Sequence, residues 1–122
     1  MKALIVDDSK TFRRIIIKAL ASAGIKDTSE AEDGEAAVAA ARNGEFDVLL
    51  LEWNLPKKSG IEALRELRAE GNTVPAIMVT TEAGRDHVIE AIKTGANEYL
   101  IKPFSAEQLA VKVRNVIATP AN

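Results

Sequence analysis

At 122 residues, 47% hydrophobic and 28% charged with a formal charge of -2, the chain has the makeup of one folded domain, large enough to bury its own core and too evenly mixed for a disordered or fibrous protein. Charges of both signs interspersed along the sequence exclude the basic footprint of a nucleic-acid binder and the cationic helix of a membrane-surface protein. Without cysteine there is no disulfide framework and no thiolate metal site, and the single histidine, His87, cannot build a zinc centre.

The opening stretch, MKALIVDDSK, has an apolar run too short for a signal peptide core or a membrane span, so a cytoplasmic protein is expected. Within it, Ala3 to Val6 is continuously apolar rather than alternating, which predicts a strand covered on both faces. After Asp7 and Asp8 the period changes. Phe12, Ile15, Ile16, Ala19, Leu20 and Ala23 recur at helical spacing, and Gly24 stands where a left-handed cap is wanted. Thr28 to Glu32 predicts a weaker strand suited to a sheet edge. Asp33 offers an N-cap to an alanine-rich helix, Glu35 to Arg42, closed by Asn43 and Gly44.

Val48 to Leu51 is the third predicted strand. Ser59 and Glu62 then form a capping-box pattern that opens a helix with Ile61, Leu64 and Leu67 inward and Gly71 at its end. Val74 to Val79, with Pro75 near its start, predicts a fourth strand ended by Thr80. The next helix carries Val88, Ile89 and Ile92 and stops at Gly95. Tyr99 to Ile101 predicts a short fifth strand running into Lys102 and Pro103. A second capping box, Ser105 to Gln108, opens a last helix with Leu109, Val113, Val116 and Ile117 inward.

Five strands alternating with five helices across short loops predict a parallel sheet covered on both faces, a doubly wound α/β fold within one domain, for which the order 2-1-3-4-5 is the expected form. The tail after Ile117 is too short for an output domain. In such a sheet the ligand site lies beyond the carboxyl ends of the strands, at the point where strand order reverses. The residues at those ends are Asp7 and Asp8, Glu52, Thr80 and Lys102. The order 2-1-3-4-5 brings Asp7, Asp8 and Glu52 to one crevice, where like charges push protons on or call for a hard cation such as Mg²⁺. Lys102 supplies a point charge for a phosphoryl oxygen, and the Thr80 hydroxyl a hydrogen bond to the same group. Each residue also has an ordinary reading as an N-cap, turn or loop residue. Their joint placement on four strand ends favours phosphoryl chemistry on a side-chain carboxylate.

The sequence resembles the receiver domains of two-component response regulators, and most closely the single-domain chemotaxis regulators of the CheY type. The residues that carry the resemblance are VDD (Val6 to Asp8), EDG (Glu32 to Gly34), EWNLP (Glu52 to Pro56), MVTTEA (Met78 to Ala83) and GANEYLIKPF (Gly95 to Phe104). The resemblance implies that Asp8, and less directly Asp7, bind Mg²⁺ with the Asn54 backbone carbonyl, and that Glu52 stands at the phosphoacceptor position. It further implies Thr80 and Tyr99 as the switch pair, Lys102 as the family's lysine, a cis peptide before Pro103, and Asn54 and Glu82 as positions that tune dephosphorylation. A histidine kinase or a small acyl phosphate would be the donor. A downstream target would dock on the fourth helix, fifth strand and fifth helix, with the protein itself a monomer.

Glu52 departs from the family's aspartate by one methylene, which moves its carboxylate by about 1.5 Å. Misplacement of ~1 Å can slow an aligned reaction ~100-fold, so impaired phosphorylation is expected. Either the longer carboxylate reaches Lys102 or Thr80 and partly imitates a phosphorylated aspartate, or it fills the site inertly. The alternatives to a receiver are an Mg²⁺-dependent phosphohydrolase acting on an external substrate and a flavin or nucleotide binder. The first lacks a pair of aspartates two residues apart, and the second places DDSKT where a phosphate loop would be needed.

Overall fold

The computed structural model describes residues 1–117; the short tail after Ile117 lies outside the described residues. Five strands, β1 (Lys2–Val6), β2 (Asp27–Ala31), β3 (Val48–Leu51), β4 (Ala76–Thr80) and β5 (Glu98–Ile101), alternate with α1 (Lys10–Ser22), α2 (Gly34–Asn43), α3 (Gly60–Ala69), α4 (Arg85–Thr94) and α5 (Ala106–Ile117). All pairings are parallel, as the alternation of elements predicts, and the order is the expected β2-β1-β3-β4-β5.

Strand parity divides the core in two. Leu4, Val6, Leu49, Leu51, Ala76 and Met78 face α2, α3 and α4, whereas Ala3, Ile5, Val48, Leu50, Ile77, Val79 and Leu100 face α1 and α5. The inner strands are therefore apolar on both faces and read as unbroken runs rather than alternating ones. β2 carries Asp27, Ser29 and Glu30 because it lies at the sheet edge, where a polar face meets solvent.

Helix starts follow their caps. Ser9 accepts from the Phe12 amide, Asp33 from Ala36, and Ser59 and Glu62 exchange both bonds of a capping box. Ser105 and Gln108 do the same at α5. Gly24, Gly71 and Gly95 take positive φ values of 92°, 83° and 120° past their helices, whereas Gly44 closes α2 with φ -115° in extended backbone.

Three expectations need correction. The fourth strand begins at Ala76 and includes Thr80; Pro75, lacking an N–H, contributes only its carbonyl, which accepts from Leu49. On α1, Ile15 and Ala23 are exposed and Arg13 is buried instead. α1 packs on the sheet through a narrower stripe, Ile16, Ala19 and Leu20, and the Arg13 guanidinium reaches back to groups that need a donor. The second strand, second helix and fifth strand each start one residue earlier than expected.

Candidate functional site

The loops leaving β1, β3, β4 and β5 meet at one end of the sheet. Asp7 follows β1 directly, and its amide donates to Ala31 on β2. Glu52 follows β3 and its amide donates to Val6 on β1, so the adjacency of β1 and β3 sets the two carboxylates side by side. Both are buried, as are Thr80 and Lys102. Asp8 turns outward and is exposed. Of the three acidic side chains expected to converge, two share the buried centre, and among the described residues no three His, Cys, Asp or Glu side chains form a metal-holding group.

Lys102 fills that centre. Its Nζ donates to Asp7 Oδ2 at 2.6 Å and to Glu52 Oε1 at 2.8 Å. The remaining oxygens are also bonded: Glu52 Oε2 accepts from the Trp53 amide at 2.6 Å and the Asn54 amide at 3.3 Å, and Asp7 Oδ1 from the Ser9 amide at 2.8 Å. One ammonium compensating two carboxylates with every oxygen engaged is the condition under which buried charge is tolerable. Burial opposes the Lys102 charge, but its bonds to Asp7 and Glu52 outweigh that, and its pKa is raised. The Glu52 carboxylate thus meets the lysine and not Thr80, whose Oγ1 instead accepts from the Glu82 amide at 3.3 Å.

Glu82 ties the mouth of the site together. Its backbone carbonyl accepts from the Tyr99 hydroxyl at 2.5 Å, its Oε2 from Asn54 Nδ2 at 2.6 Å, and its Oε1 lies 3.4 Å from His87 Nε2. The His87 ring meets Trp53 edge to face at 4.8 Å, closing a chain of contacts from the β3–α3 loop to the first turn of α4. Burial, with the charges of Glu82 and Glu52, pushes the Tyr99 phenol up to about 12. The Lys102–Pro103 peptide is cis.

Four contributors went unassigned in the sequence. Phe12 reads only as part of the apolar stripe of the first helix and His87 only as an insufficient zinc ligand, while Arg13 and Gly60 carry no sequence signal strong enough to assign them. Arg13 Nη1 donates to the Asp7 carbonyl at 2.8 Å and its Nε to Glu30 at 2.7 Å, fixing the backbone that carries the acidic pair. The available signal was a cation set against the apolar stripe of α1, one turn after the aspartates. Gly60 lies so close to the Glu52 carbonyl that a Cβ there would overlap it, and its amide donates to Trp53 at 2.7 Å.

The model of the response regulator receiver domain matches residues 3–114. The chain belongs to that family. This receiver is 45% identical to the chemotaxis protein CheY of Pseudomonas aeruginosa, over 95% of either chain. Among solved structures it matches the chemotaxis protein CheY4 of Vibrio cholerae with a TM-score of 0.86 at 33% identity, over 94% of this chain and 97% of the other. It also matches the receiver domain of a sensor histidine kinase from Pseudomonas aeruginosa, solved with a magnesium ion coordinated in its active-site cleft. That match has a TM-score of 0.87 at 31% identity and covers 97% of this chain and 98% of the other. The chain is thus a CheY-like receiver of two-component signalling, and its strand-end cluster carries a glutamate between the Lys102 ammonium and the Trp53 amide. Among the described residues no helix is long and apolar enough to cross a membrane.

Proposed function

We propose that this receiver works as a switch whose setting is held by Glu52 rather than by phosphorylation. The observation that carries the reading is the double engagement of the Glu52 carboxylate: one oxygen on Lys102 at 2.8 Å, the other on the Trp53 amide at 2.6 Å. A nucleophile must present a free oxygen in line with the phosphorus, and a buried carboxylate bonded on both oxygens does not. The same bonds reproduce part of what a phosphoryl group would do, since Lys102 is drawn onto an anion at position 52. Tyr99 is half-buried with its hydroxyl on the Glu82 carbonyl, which supports the inward, target-binding setting over an inert one. The imitation is partial, one charge and two oxygens in place of up to two charges and three oxygens.

The partners that follow are a histidine kinase on the input side and, on the output side, a target protein docking on α4, β5 and α5, where Ile92, Ile101 and Val111 are exposed. Asp7, Asp8, Glu52 and the Asn54 carbonyl are hard oxygen donors of the kind Mg²⁺ takes, and for an ion to be held there Asp8 must turn inward and Lys102 must give up the Asp7 and Glu52 oxygens it bonds. Bound there, the ion would offset the charge of an incoming phosphoryl group. A phosphohydrolase acting on an outside substrate is not favoured, because its carboxylate would have to leave both partners.

The reading is tested by NMR of the Tyr99 ring in the unmodified chain and in Glu52→Asp. Contacts from the ring to Thr80 and Glu82 should be present in the chain without any phosphodonor, weaker in Glu52→Asp, and restored in that variant by an acyl phosphate. A Tyr99 ring pointing to solvent in the unmodified chain would overturn it.

A further inference from the structure

The Lys102 ammonium has three N–H groups, and the two carboxylates take two of them. The third direction is covered by carbon: Nζ stands 3.9 Å from the centroid of the Phe12 ring, well inside the range in which a cation is attracted to an aromatic face. The ring is not placed by chance. Phe12 lies in the first turn of α1, where the Ser9 cap bonds its amide at 3.2 Å, and the half-buried ring lies between the helix and the site. Lys102 enters from the far side, on the loop after β5, with its own amide donating to Thr80 at 2.8 Å. The ammonium is left buried in a pocket of two anions and one π-face.

We propose that Phe12 is a positioning residue for Lys102, its ring face taking the third side of the ammonium and holding the lysine on Asp7 and Glu52. An aliphatic side chain of similar size would fill the space but offer no quadrupole, leaving the third N–H without a partner in a buried setting. The geometry stands apart from the reading of Glu52 as the switch. Its consequence within that reading is that Phe12 sets how readily Lys102 leaves the carboxylates for another anion.

Competitive acylation with acetic anhydride, followed by peptide mass spectrometry, reads the population of released lysine residue by residue. The exposed Lys93 serves as the internal reference. In the unmodified chain Lys102 should react far more slowly than Lys93. Replacing Phe12 with phenylalanine analogues carrying one, two and three ring fluorines weakens the π-face while leaving the packing nearly unchanged. Lys102 labelling should rise stepwise along that series, reaching about 2- to 30-fold, the span that interactions of this class correspond to. Phe12→Tyr should keep Lys102 slow, and Phe12→Leu should match the most fluorinated analogue. A labelling rate flat across the fluorine series overturns the proposal, and it does so even if Phe12→Leu accelerates labelling, since that pair of results assigns the ring a packing role alone. If Phe12→Leu does not fold, the fluorine series still decides.

Discussion

At the scale of single residues, the Glu52 carboxylate joins the two halves of the site. Glu52 is long enough to meet Lys102 and still accept from the Trp53 amide, so a position that the family resemblance assigns to a nucleophile holds an internal ion-pair partner. Attraction between such groups repays their desolvation only when the remaining lone pairs are also bonded, which the Trp53, Asn54 and Ser9 amides accomplish. Tyr99 reports on the same centre from the other side. Its phenol is raised to about 12, first by burial and then by the charges of Glu82 and Glu52, against an ordinary value of about 10. A folded-state pKa above the unfolded one stabilises the fold fully below the ordinary value, and that contribution is lost as pH rises from about 10 through about 12. Tyr99 is the only tyrosine, so an ultraviolet difference titration follows it alone. The folded chain should ionise near 12, and a midpoint near 10 would mean that the phenol is not buried beside Glu82 and Glu52.

At the scale of elements, local grammar and tertiary demand separate cleanly. The Ser59–Glu62 and Ser105–Gln108 boxes, the Asp33 cap and the left-handed Gly24, Gly71 and Gly95 were legible because each is settled by bonds or dihedrals within a few residues. The parallel sheet and the residues ending its strands followed from the alternation of elements, whereas the strand order had to be assumed from the commoner forms of such sheets. What was hidden depends on contacts distant in sequence. Arg13 is inward because Asp7 and Glu30 need its guanidinium, and Ile15 is outward because α1 rests on a narrower stripe than its periodicity allows. Gly60 belongs to the hidden class as well. It starts α3 against the Glu52 backbone, and a methyl group there overlaps the Glu52 carbonyl. Gly60→Ala should therefore destabilise the fold by about 1 to 3 kcal/mol, the usual range for overpacking a fitted site, as measured by urea denaturation. A change below ~0.5 kcal/mol would show that the loop yields easily and does not fix the carboxylate.

At the scale of the whole molecule, the sheet order places four loops at one end, and the salt bridges behind them brace the helices that carry those loops. Arg42 on α2 binds Glu66 and Glu70 at α3, Lys58 binds Glu66, and Arg65 on α3 reaches Glu90 on α4 at 3.2 Å. These exposed pairs contribute little individually, but they join the elements whose loops carry Glu52 and Glu82. In the switch proposed above, a charge at position 52 biases Tyr99, whose hydroxyl rests on the Glu82 carbonyl, and through it the α4–β5–α5 surface. In this chain the charge is built in. The direct measurement is exposure of the unmodified protein and of Glu52→Asp to a small acyl phosphate with Mg²⁺, followed by intact mass and peptide mapping. Glu52→Asp should gain one phosphoryl group on the new aspartate while the unmodified chain stays unlabelled. Stoichiometric phosphorylation of Glu52, or failure of Glu52→Asp to be labelled, would contradict a receiver whose setting is held by its own glutamate.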